Sequence, residues 1–216
     1  MTRAYSELYL NDAAENLGDM LAYAVNDCGY DADEFFGWFI TSGLADQFGT
    51  GNPKYIAGLS GVELAREVVF QTCGVRPQQE ATQDIERDAV YWAGWALAHY
   101  QWFSGSRFAD MIRGGLTISK IQSLYILHEA DISKFYEAAD KIIIAATKDL
   151  PTRLKTIRKA RGFTQQELSD ASGVKVRMIQ LYEQRRNNIN EASMASVISL
   201  AKALGCQPVD LMEPGQ

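Results

Sequence analysis

The stretch "TQQELSDASGVKVRMIQLYEQRRNNIN", residues 164–190, decides how this chain is read. Thr164 and Glu167 stand three apart. At that spacing a hydroxyl accepts the N3 amide while the carboxylate reaches back to the cap amide, so a helix is expected over "QQELSDAS". Gly173 supplies a turn, because glycine enters the left-handed region without a Cβ penalty. A further helix follows in "VKVRMIQLYEQ", at about residues 174–184.

Working outward, "TRLKTIRKARG" reads as a basic amphipathic helix with Leu154 and Ile157 facing inward. "NEASMASVISLAKALG" is a fourth helix ending at Gly205, and Pro208 opens a short fifth in "PVDLME". The expectation is a five-helix C-terminal domain over residues 151–216.

Charge separates this segment from the rest. The whole chain has a formal charge of −6, yet residues 152–190 hold nine Lys and Arg against three acids, a balance of +6. Residues 1–150 hold 11 Lys and Arg against 21 Asp and Glu, a balance of −10. Beyond a Debye length of about 8 Å the acidic part is largely screened, so the acidic total does not exclude a polyanionic partner. The sign changes at "TKDLPTRL", where Pro151 fits a helix start but disfavours a helix running through it. The domain boundary is placed there, near residue 150.

Residues 1–150 read as an all-α bundle. Leu17, Met20, Leu21, Ala24, Val25 and Cys28 form one stripe on a helix stopping near Gly29. "DADEFFGWFITSG" is a second helix opened by acids and closed by Gly43. "FGTGNPKYIAG" is a loop by its Gly, Asn and Pro, either packed on its own domain or serving as a contact surface. Ser60 and Glu63 give a second capping-box spacing for a helix ending at Gly74, and "VRPQQEATQD" is a further loop. "IERDAVYWAGWALAHYQWFSG" is a long aromatic helix, followed by shorter ones and by "ADISKFYEAADKIIIAATKD".

Trp92, Trp95, His99 and Trp102 share one stripe of the aromatic helix. They read as bundle core, or as a surface for a ligand or partner. "LHEAD" places His128, Glu129 and Asp131 together, read as a loop and the Asp131 cap rather than a catalytic or metal site. Cys28, Cys73 and Cys206 form no CxxC pair, "GTGNPKYIAG" lacks the Gly-Lys-Ser/Thr ending of a phosphate loop, and no cofactor or metal is expected. The opening residues lack the apolar core of a signal peptide, and no run nears the ~20 apolar residues needed to span a bilayer. A cytoplasmic, non-enzymatic protein is expected.

"FTQQELSDASGV", "IQLYE" and "ISLAKALG" with its following Pro-Val-Asp-Leu closely resemble the Cro/C1-type (XRE) helix-turn-helix family, over about residues 152–213. The resemblance implies binding of double-stranded DNA, with a recognition helix in the major groove. On that alignment Val174, Ile179 and Tyr182 are core, while Lys175, Val176, Arg177, Gln180 and Leu181 face the bases. Arg177 suits guanine and Gln180 suits adenine. Gln165, Arg185 and Arg186 suit phosphates. Arg158 and Glu183 match a structural ion pair of the family. Lys175 replaces a frequent Ser or Thr cap, and Arg185 a frequent Gly. The implied function is a transcription regulator, a repressor in type and a homodimer, with residues 1–150 serving dimerisation or small-molecule sensing. Residues 1–150 also resemble an unnamed helical domain preceding "IQxYEQR"-type regions in bacterial proteins that act as antitoxins. The alternative is therefore an antitoxin that binds a protein toxin and regulates its own operon.

Overall fold

The computed structural model describes residues 3–82, 87–147 and 150–213, and among these every regular element is helical. The chain divides into two units, Met1–Ile143 and Ile144–Gln216.

The first unit is built around one helix. Its elements are α1 (Leu10–Ala22), α2 (Ala32–Thr41), α3 (Leu44–Gly49), α4 (Gly61–Cys73), α5 (Ala89–Ser104), α6 (Phe108–Arg113), α7 (Ile118–Gln122) and, as far as Ile143, α8 (Ile132–Thr147). Asp88 starts α5 by accepting from the Val90 and Tyr91 amides, and Gly105 ends it. Between them most positions are buried on all sides, from Val90 to Trp102. A helix apolar all round has no solvent face, so it becomes the bundle's axis. Its tightest neighbour is α1. A Cβ on Gly94 would lie 2.4 Å from the Leu17 carbonyl oxygen, so only glycine allows this backbone approach.

The α1 stripe is buried at Leu17, Met20, Leu21 and Ala24 and half-buried at Val25 and Cys28. The helix widens into a π-turn over Tyr23–Asp27 before stopping at Gly29. The capping boxes at Ser60–Glu63 and Thr164–Glu167 both form as spaced. One expected loop is different. "FGTGNPKYIAG" carries the end of α3 and a π-turn, Lys54–Gly58, with only the corner between them irregular. Ile56 is fully buried there, and the Asn16 amide donates to the Ile56 and Leu59 carbonyls at 2.9 Å. The segment packs on its own unit.

"VRPQQEATQD" has no regular structure at residues 75–82. Gln83 and Asp84 lie outside the described residues, as do Ile85 and Glu86 of the expected aromatic helix and Lys148 and Asp149 after α8. Residues 75–82 are held by Arg66 and by the Tyr23 hydroxyl, both donating to the Gln79 carbonyl.

His99 sits half-buried against Trp95, with ring centroids 4.1 Å apart, and its Nε2 has no hydrogen-bond partner among the described residues. Burial pushes its pKa down from 6.5 to about 4. The folded chain therefore refuses a proton that the unfolded chain accepts, and stability falls as pH drops from 6.5 towards 4. His99→Phe keeps the ring contact and removes the titration. Thermal melts between pH 4.5 and 7 are expected to show a smaller acid-side loss of Tm for this variant than for the wild type. An equal loss would assign the pH dependence elsewhere.

Candidate nucleic-acid interface

The second unit holds α9 (Arg153–Ala160), α10 (Gln165–Ser172), α11 (Val176–Glu183) and α12 (Met194–Leu204), then a 3₁₀ turn at Pro208–Leu211. Its apolar centre is Leu154, Leu168, Ile179, Leu200, Leu204 and Leu211, all at most 2 % exposed. Side-chain caps set the helix starts: Thr152 for α9, Thr164 for α10 and Ser193 for α12. The expected fourth helix is shorter than read. Asn188 caps a separate 3₁₀ turn, Ile189–Glu191, and Ser193 restarts the chain as α12. The expected fifth helix is the 3₁₀ turn at Pro208.

Gly173, at φ +71°, joins α10 to α11. α11 starts at Val176, two residues later than expected, because Val174 belongs to the turn, where its amide donates to Ser172 Oγ. Lys175 holds the cap position without a side-chain bond, since an ammonium offers no acceptor.

Beneath α11 lies the buried pair Arg158–Glu183. Arg158 Nε donates to Glu183 Oε1 at 2.5 Å and Nη2 to Oε2 at 2.9 Å. The side chains are 9 % and 2 % exposed, and hydrogen bonding to Glu183 raises the Arg158 pKa. Arg158 Nη1 also donates to the Phe163 carbonyl, and Gln165 Nε2 donates to Glu183 Oε2 at 2.8 Å. These bonds tie α9, the turn after it, and the first residue of α10 to the last residue of α11.

On α11, Ile179, Tyr182 and Glu183 face inward. By helical spacing Arg177, Gln180, Leu181 and Gln184 fall on the opposite side. Arg177 and Gln184 are exposed, Gln180 and Leu181 half-buried; Lys175 is exposed and Val176 half-buried at the helix start. Gln184 was not singled out from sequence, although the same 3.6-residue spacing places it there.

Of the phosphate candidates, Arg186 is exposed beside an open groove of about 590 Å³ that also includes Tyr182, Asn187, Asn188 and Ser193. Gln165 is half-buried, with its amide on Glu183. Arg185 requires a correction. Its guanidinium turns inward, with Nη1 donating to the Leu150 carbonyl at 2.6 Å and Nη2 to Glu213 Oε2 at 3.1 Å. It is not placed as an outward phosphate contact. Arg185 also has φ +52°, a left-handed conformation that costs a non-glycine residue about 1–2 kcal/mol.

Two members of the aromatic stripe are core. Trp92 packs edge-on against Phe135 and Tyr125, and Trp102 donates to the Tyr5 carbonyl under the Arg3 guanidinium. Both are 7 % exposed, which leaves Trp95 and His99 as the half-buried part. His128 bonds the Tyr125 carbonyl through Nδ1 and stacks on the Tyr125 ring, while Asp131 accepts from the Ser133 amide at the start of α8. Among the described residues no group of three or more His, Cys, Asp or Glu could hold a metal ion, and no helix is long and apolar enough to cross a membrane.

Glu183→Ala strands a buried guanidinium and is expected to destabilise the second unit by about 3–5 kcal/mol. Urea denaturation followed by circular dichroism measures this. DNA preference, measured on the fraction still folded, is expected to stay as in the wild type.

Neither comparison with curated proteins nor comparison with solved structures gives a match. A family model described as helix-turn-helix matches residues 154–211, from the first turn of α9 to the end of the Pro208–Leu211 turn. With α10, Gly173 and α11 in that arrangement, this part of the chain is a DNA-binding helix-turn-helix domain of the Cro/C1 type.

Proposed function

We propose that the protein is a sequence-specific transcription regulator, acting in the cytoplasm as a repressor, whose α11 reads operator DNA in the major groove. The observation that carries this reading is the outer face of α11, with Arg177 exposed and Gln180 beside it within the matched domain. Arg177 suits the O6 and N7 acceptors of guanine, and Gln180 suits adenine. Lys175, Val176 and Leu181 complete the base-facing set, with the apolar pair suited to thymine methyl groups. Arg186 is assigned to a phosphate, because it is exposed and borders the open groove.

One such module touches few bases, so the active form is a homodimer on half-sites roughly 34 Å apart. Residues 1–150 supply the dimer interface, a sensing function, or both. Their balance of −10 keeps them off the polyanion.

The reading is tested by fluorescence anisotropy of the full chain on DNA upstream of its own gene, with random DNA as control, across a salt series. Preference for the upstream DNA supports it. Equal binding to both would sink it, and co-purification with an adjacent gene product would then favour the antitoxin reading.

Arg177→Ala is expected to cost roughly 1–3 kcal/mol at one base pair and to relax specificity there. Unchanged relative affinities for single-base operator variants would refute that register. Arg186→Ala is expected to weaken all DNAs alike and to lower the salt slope by about one.

A further inference from the structure

Resting on that reading, we infer that Arg185 and Glu213 are positioning residues for the recognition helix, forming a latch that fixes its C-terminal end.

The backbone after α11 closes in a defined way. The Arg185 amide donates to the Tyr182 carbonyl and the Arg186 amide to the Leu181 carbonyl. This is the paired closure that requires a left-handed residue just past the cap, and glycine ordinarily provides it. Here Arg185 provides it at φ +52°. A side chain kept in a glycine position points to work done by that side chain.

Its contacts show what the work is. Arg185 holds the Leu150 carbonyl, in the segment leading into α9, and Glu213, beyond the final 3₁₀ turn. The Glu213 carboxylate is 6 % exposed, and its other oxygen accepts from the amide of Arg153, the first residue of α9. The Glu213 backbone and the Asn190 side chain exchange two further bonds, at 2.7 and 2.9 Å. One buried carboxylate thus gathers the start of α9, the segment after α11 and the end of the described chain. With Arg185 drawn inward, the next residue, Arg186, is left exposed.

The test compares full-length wild type, Arg185→Gly and Glu213→Gln by anisotropy on upstream and random DNA across a salt series. Amide hydrogen exchange of the free proteins runs in parallel. Arg185→Gly allows the left-handed turn and deletes the whole side chain, guanidinium included. Operator affinity is expected to fall about tenfold, random-DNA affinity to fall less, and the salt slope to stay as in the wild type. Glu213→Gln removes the charge and is expected to move affinity in the same direction by about threefold. Exchange is expected to quicken at the Arg153 and Arg186 amides in both variants. Wild-type affinity and exchange in Arg185→Gly would overturn the latch. So would a salt slope lowered by about one with equal loss on both DNAs, which would make Arg185 a phosphate contact. Should the wild type fail to prefer its upstream DNA, the operator reading falls, and the exchange rates alone decide the latch.

Discussion

The buried pairing of Arg158 with Glu183 is the constraint on which the second unit depends. Two ions at 9 % and 2 % exposure are held together only because each has further partners: Phe163 for the guanidinium and Gln165 for the carboxylate. Such a pair is a poor source of net stability, since desolvation offsets much of its attraction. It is a strong source of geometry. A bidentate fork permits one relative placement, so the last residue of α11 is fixed against the last turn of α9. The apolar centre alone would tolerate small rotations of so short a helix, because dispersion contacts carry no direction.

The first unit solves its positioning problem by contact instead. Its α5 is held by shape, with Gly94 letting the Leu17 backbone approach and Trp92, Tyr100 and Phe135 filling the other side. Polar ties there sit mostly towards the edge, as with Asn16 under the π-turn and Arg66 with Tyr23 on the Gln79 carbonyl. His99 is an exception, a titratable ring whose pKa burial lowers and whose Nε2 has no partner among the described residues.

These two strategies explain what the sequence made legible. Capping boxes depend on residues three apart, so Ser60–Glu63 and Thr164–Glu167 could be read directly. Apolar spacing equally marked Leu17, Met20 and Leu21. The misreadings fall where distant partners decide. "FGTGNPKYIAG" has the composition of a loop, but buried Ile56 and Asn16, 40 positions away, wind it into a turn. Arg185 has the charge of a phosphate contact, but its partners stand 35 and 28 positions away, and no local pattern announces either. The start of α11 shifted for a local reason: Ser172 Oγ holds the Val174 amide in the turn. Trp92 and Trp102 share a stripe with Trp95 and His99, yet burial separates the pairs, because helical spacing gives direction and not what lies there.

The same contacts change how the charge of residues 152–190 is counted. Arg158 and Glu183 cancel within the segment and leave its +6 unaltered, whereas Arg185 is met by Glu213 from outside it. One positive charge is removed, and the segment presents +5 to its surroundings. The exposed carriers include Lys159, Lys175, Arg177 and Arg186, the last three at the start of α11, on its outer face and just past its end. These three put positive charge at both ends and on the outer side of α11.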